Sequence, residues 1–246
     1  MNRKLTAITL IAAALLTNAG FTALGSIFNY PDVLKEPTGE ILDRFREHQT
    51  SVSIWFAVLA ASAALFAPIA VGIGKLRDDR WMKLAVPAGI AAAAVQTIGL
   101  LRWPLLVPDF ARDAASTNAA TASNARDHFD TAHTILGNVV GETFGYTLTA
   151  AWTLLVVASL GARFAGRAFA TLGTVSAIMI VVGVLSPLDL AIIDTVNFAG
   201  YVLWSAWLIW LAIAVLRDDR TAAVMPASRP AALDSAVSSP VNARTR

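Results

Sequence analysis

Apolar residues along this chain fall in six long blocks, separated by shorter polar stretches. The blocks run approximately from Leu5 to Phe28, Val52 to Gly74, Met82 to Val107, Thr134 to Leu160, Ala168 to Leu185 and Val196 to Leu216. Each approaches or exceeds the roughly 20 residues an α-helix needs to cross a hydrocarbon core of about 30 Å. The pattern predicts an all-α fold, a six-helix transmembrane bundle over residues 1–220, with no room for a separate soluble domain. The start of the chain imitates a signal peptide, but the apolar run to Phe28 is longer than a signal segment, so an uncleaved first helix is expected.

The intervening stretches carry weaker patterns. In Asn29 to Thr50, Ile41, Leu42 and Phe45 recur at helical spacing beside Asp43, Arg44, Arg46 and Glu47, which predicts a short amphipathic helix lying at the membrane interface. Pro68 and Pro87 fall inside the second and third helices, where neighbouring helices can satisfy the freed carbonyls and a local kink is tolerated. At the end of the third, Pro104 bends or stops the helix and Trp103 suits an interfacial aromatic belt. Asp109 to Asp130 is rich in alanine and polar residues without a sustained apolar stripe, and reads as mobile and loosely helical, anchored by Phe110 and Phe129. The repeated Leu-Arg-Asp-Asp-Arg at 76–80 and 216–220 reads as a pair of membrane-edge anchors. From residue 221 the chain is Ala/Pro/Ser-rich, and a disordered cytoplasmic tail is expected over 221–246.

Composition agrees with a membrane class, with 56% hydrophobic and 15% charged residues. Net charge is only +2, yet its distribution orients the bundle. With both termini cytoplasmic, 13 of the 19 Lys and Arg residues lie inside and six outside, as the positive-inside rule requires. Cationic residues therefore signal topology in a bacterial inner membrane, and no nucleic-acid partner is expected. Without cysteine, disulfides and thiolate metal sites are excluded.

The fourth block adds chemistry. On a regular helix Thr134, Asn138, Gly141, Glu142, Gly145, Tyr146, Thr149 and Thr153 share one face, a small and polar stripe opposite Leu136, Val140 and Phe144. A carboxyl at membrane depth is costly and must face protein or a water-filled cavity, which makes Glu142 the central functional candidate. Arg102, near the end of the antiparallel third helix, reaches similar depth and is its candidate counter-ion. Asn138, His133, Gln96 and Asn18 are candidate polar neighbours, and Tyr30 and Asp32 form a lid from the first loop. Trp204 and Trp207, with Trp210, make an aromatic stripe that reads first as helix packing and second as a wall for an apolar ligand. His128 and His133 are five residues apart, which fits no metal motif, and on a regular helix His133 points away from Glu142. No metal and no cofactor is expected.

Three readings follow. The favoured one is an outer-half polar pocket that binds a small molecule, ion or lipid, or braces the helices. The alternative is a membrane enzyme in which Glu142 is a general acid positioned by Tyr146, working on a lipid or isoprenoid as terpenoid cyclases do. A metal-dependent hydrolase is the least supported. Partners are membrane lipids and an apolar small molecule.

Asn29-Tyr30-Pro31-Asp32-Val33-Leu34, Leu101-Arg102-Trp103-Pro104, and in the fourth helix His133, Leu136-Gly137, Gly141-Glu142, Gly145-Tyr146 and Thr149-Ala150-Ala151-Trp152 carry a resemblance. Over about residues 5 to 216 the chain resembles a family of uncharacterised bacterial multi-pass membrane proteins, domain of unknown function family 4386. The resemblance implies a six-helix bundle and supplies no activity. It suggests that the outer-half motifs belong together.

Overall fold

A computed structural model of the chain describes residues 2–188 and 190–224, and among these it is helical without strands. Six helices are long and apolar enough to cross a membrane, so this is a multi-pass membrane protein. The first is α1 (Arg3–Phe28), and the second is split into α3 (Gln49–Ala64) and α4 (Phe66–Gly74), with α2 (Thr38–Glu47) before it. The break has a sequence cause: Pro68 lacks an N–H and its ring crowds the carbonyl four residues back, on Ala64, where α3 ends. The third span is α5 (Arg80–Leu105), followed by the short α6 (Val107–Ala114). The fourth runs through α7 (Ala119–Ala132), a π-helical segment (His133–Phe144) and α8 (Gly145–Ala165). The fifth is α9 (Arg167–Val182), continued by a 3-10 turn (Gly183–Leu188), and the sixth is α10 (Ala191–Val224). The last residues of α10 include the start of the stretch expected as a disordered tail, so helix persists to Val224; residues 225–246 lie outside the described residues.

Each span packs on its neighbours in sequence, and α10 returns to pack on α1, so the six spans close into a ring. Short connections after α4 and α8 set antiparallel neighbours side by side, while the two longer connections carry α2, α6 and α7. Both ends of the described chain meet at one end of the ring, here the terminal end, where Arg3 pairs with Asp218 at 2.6 Å. The two Leu-Arg-Asp-Asp-Arg copies lie at this end and do different work. Asp79 caps α5 by accepting from the Trp81 and Met82 N–H groups at 2.9 Å, and takes a 2.7 Å hydrogen bond from Ser159 of α8. These three donors, the Met82 N–H foremost, hold its carboxyl below the usual 3.8.

Two hydrophobic layers fill the ring. Towards the terminal end Phe66, Trp152, Phe169, Trp204 and Trp207 interlock, with Trp152 edge-on to Phe66 at 4.6 Å and Trp207 stacked on Phe169 at 5.3 Å. At the opposite, distal end a cap forms around Trp103, which stacks on Phe56 at 4.7 Å and meets Phe28 edge-on at 5.2 Å.

The cap corrects three expectations. Ile41, Leu42 and Phe45 of α2 are buried against protein and do not lie in the membrane interface. Trp103 is fully buried at the centre of the cap and joins no interfacial belt. The stretch after Asp109 forms two packed helices, not a loose connection. Asn118 caps α7 by accepting from Ala120 and Thr121 N–H groups, and Ala122, Ala125 and Phe129 supply a buried stripe. Alanine rather than leucine makes up most of that stripe, which hides it from a search for large apolar residues.

Candidate functional site

Between the two aromatic layers lies a cavity of about 370 Å³, with all spans except α9 itself represented in its wall. Its polar lining is densest where α5 meets the π-helical segment. The geometry there begins with glycine. Gly137, Gly141 and Gly145 recur every fourth residue and face Arg102, Gly99 and Gln96 of α5 in turn. A Cβ on Gly137 would stand 2.8 Å from an Arg102 terminal nitrogen, and one on Gly99 would stand 2.7 Å from the Gly141 Cα. Only hydrogen fits at such a seam, and close backbone approach through small residues is how helices associate without a hydrophobic driving force.

Under-winding sets the second part of the geometry. Hydrogen bonding from i to i+5 widens the helix from 3.6 to about 4.4 residues per turn, or from about 100° to about 82° per residue. Thr143 takes part, its hydroxyl donating to the Asn138 carbonyl five residues back at 2.9 Å. At 100° per residue His133 and Glu142 are half a turn apart, whereas at 82° they nearly coincide. The expectation that His133 points away from Glu142 is therefore corrected: both line the cavity, with Gly137, Asn138, Gly141 and Tyr146. Thr134, expected on the inward stripe, is exposed instead.

Arg102 is buried, with 6% of its surface exposed. One terminal nitrogen donates to the Gly99 carbonyl, and the other lies 3.4 Å from His133 Nδ1. A guanidinium only donates, so Nδ1 accepts in that long contact. Arg102 Nε has no hydrogen-bond partner among the described residues, and the guanidinium carbon stands 5.4 Å from the Trp103 ring centroid. The expected neutralisation of Glu142 by Arg102 does not take the form of direct contact: among the described residues no ion pair joins them within 4.0 Å. They still interact electrostatically across the cavity.

Other candidates sort by position. Tyr30, Gln96, Arg102, His133, Asn138, Glu142, Tyr146 and Trp204 all line the cavity. Gln96 donates to Thr149 at 2.8 Å, and Trp204 Nε1 donates to Thr153 at 2.8 Å. Tyr30, in the first loop, has its hydroxyl pKa pushed up to about 12 by burial and then by the charge of Glu142, so it remains a neutral donor near pH 7. Two candidates stand elsewhere. Asp32 is outside the lining, with its side chain 72% exposed, and Trp207 sits in the terminal-end aromatic layer.

Several lining residues were absent from the expected set. Asn197, Tyr201 and Ser205 follow one face of α10 with Trp204, a mixed polar and aromatic stripe overshadowed by the tryptophan repeat. Lys35 and Asp194 pair at 2.9 Å at the distal rim. Asn18 donates to Ser205 at 2.9 Å, the helix-to-helix bond expected of it, and also lines the cavity. Among the described residues no three His, Asp or Glu side chains group as a metal site.

A family model described as a domain of unknown function, DUF4386, matches residues 5–213, and the chain belongs to that family. Neither a curated protein nor a solved structure matches it.

Proposed function

We propose that this member of the DUF4386 family is a membrane-embedded binding protein for a small amphipathic molecule, held in the cavity around Glu142. One observation carries the reading: a single space of ligand size, about 370 Å³, combines a polar wall with an apolar one. Arg102, His133, Asn138, Glu142 and Tyr30 supply hydrogen bonding and charge, while Phe21, Leu59, Phe66 and Trp204 supply apolar surface. Ligand pockets of roughly 300–1,000 Å³ have this composition, mostly apolar with a few convergent polar groups. In the orientation that the Lys and Arg distribution favours, the terminal end is cytoplasmic in a bacterial inner membrane and the cavity lies in the outer half.

A catalytic reading draws on one specific feature. Glu142 lines the cavity beside Tyr146 with no hydrogen bond or contact ion pair to any described residue, the situation of a carboxyl available to a substrate. Protonation of an isoprenoid or lipid group by Glu142 remains the alternative, distinguished by whether a product forms.

Ala63, half-buried on the cavity wall, tests the binding reading. Ala63→Trp fills the space. In purified protein in a maltoside detergent, stability should be retained while amphiphile adducts seen by native mass spectrometry are lost. Equal adduct formation by wild type and variant would overturn the reading.

A further inference from the structure

The cavity wall carries a guanidinium and a carboxyl that do not touch. Arg102 is buried, its terminal nitrogens meeting a carbonyl and a histidine nitrogen beside an aromatic face, and Glu142 has no hydrogen bond or contact ion pair among the described residues. A separated pair of charges at membrane depth is costly, because each forfeits hydration without gaining a contact partner. One occupant satisfies both: a molecule that carries an anionic and a cationic group together. A lone anion meets Arg102 and is repelled by Glu142, and a lone cation suffers the reverse.

The surroundings distinguish the two subsites. Near Glu142 the cavity is lined by Tyr146 and Tyr201, 5.8 Å apart in an edge-to-face pair, while Tyr30 interacts with both Glu142 and Arg102. Tyrosine faces beside a carboxylate are suited to an ammonium, primary or quaternary. On the other side the guanidinium is suited to phosphate or carboxylate.

A third observation bears on where the rest of the molecule goes. Phe198 and Val202 of α10 both belong to the cavity lining and are also strongly exposed, 59% and 46% respectively, as residues at an opening of the cavity are. Asn18 and Ser205 join α1 to α10 on the terminal side of these residues, and Lys35 pairs with Asp194 on the distal side. The wall between those two links is where cavity and lipid-facing surface meet. An apolar chain attached to the bound head exits there.

We infer that the cavity binds a zwitterionic headgroup, its ammonium at Glu142 among the tyrosines and its phosphate or carboxylate at Arg102, with a hydrocarbon chain leaving between α1 and α10. This rests on the binding reading above and names its ligand class.

The experiment titrates the full chain in maltoside detergent with single-chain amphiphiles of equal length, read by native mass spectrometry and thermal shift. The probes are a lysophosphatidylethanolamine, a lysophosphatidic acid, an alkyltrimethylammonium and a monoacylglycerol. The zwitterion should bind at least tenfold more tightly than the other three. Glu142→Gln should erase its advantage over the lysophosphatidic acid, and Arg102→Gln its advantage over the alkyltrimethylammonium. Because Arg102 also meets Gly99 and that variant risks misfolding, Glu142→Gln decides the matter alone. Equal binding of the neutral or singly charged probes, or an unchanged preference in Glu142→Gln, would overturn the zwitterion while leaving a binding cavity. No binding of any probe would overturn both. Soluble phosphoethanolamine supplies the last arm: competition at the same concentration as the lysolipid identifies a free zwitterion and overturns the exiting chain, whereas competition only at much higher concentration supports it.

Discussion

Gly99→Ala tests the seam on which the candidate site is built. The added Cβ would stand 2.7 Å from the Gly141 Cα and 2.9 Å from the Leu136 carbonyl oxygen. Both neighbours are backbone, so no side-chain rotation relieves the overlap. Reaching an ordinary 3.4 Å contact requires α5 and the π-helical segment to separate by about 0.7 Å. Overpacking of this kind costs about 1–3 kcal/mol, while alanine returns up to about 1 kcal/mol of helix propensity, so a net loss of about 1–2 kcal/mol is expected. That is a factor of roughly 5 to 30 in the folded-to-unfolded ratio. Gly25→Ala is the control, since a Cβ there meets only the Tyr30 carbonyl oxygen at 3.6 Å. Thermal unfolding of the detergent-solubilised variants should place Gly99→Ala below wild type and Gly25→Ala at or above it. Gly99→Ala melting with or above wild type would refute the tight seam.

Asp79 gives a pH dependence with a definite sign. Its folded carboxyl pKa lies below the ordinary 3.8 because the Met82 N–H, the Ser159 hydroxyl and the Trp81 N–H all donate to the carboxylate. The stabilisation is therefore complete above about pH 4 and disappears as pH falls through the lowered folded value. Melting profiles of wild type and Asp79→Asn should differ above pH 4 and converge in acid; a constant offset down to pH 2.5 would contradict the assignment. Topology is open to direct labelling, since the chain has no native cysteine. Ser51→Cys and Ser116→Cys, at the distal end, should react with an impermeant thiol reagent on intact cells, and Ser235→Cys should not. Labelling of Ser235→Cys from outside would invert the proposed orientation.

Much of the architecture is written in hydrophobic run lengths. Six blocks near membrane-spanning length, three of their five connections short, leave few arrangements other than a bundle of antiparallel neighbours. The cap around Trp103 was less legible. Its helices bury alanines and isolated aromatics, and an apolar pattern on α2 looks the same whether it faces lipid or protein. The site was legible by residue type and obscured by winding. Glu142, Tyr146, Asn138 and Gln96 stand out as polar groups in an apolar helix, whereas His133 joins them only because the helix is under-wound. Sequence periodicity presumes 3.6 residues per turn and cannot register that change. The four-residue glycine spacing from Gly137 to Gly145 was the available clue to the α5 contact.

The same seam explains why Arg102 and Glu142 remain apart. Gly137 leaves the guanidinium room against the π-helical backbone, and the Gly99 carbonyl and His133 engage its two ends. A guanidinium engaged at both terminal nitrogens has little freedom to swing across a cavity, even towards an opposite charge. Glu142 is five residues beyond Gly137, slightly more than one π turn, and so faces the same space from a different level. In an isolated bundle this separation is a cost, since a contact pair would recover Coulomb energy that the cavity forgoes. In the proposed complex an arrangement that is unfavourable empty becomes favourable when occupied, and it selects a ligand carrying both charges over one carrying either charge alone.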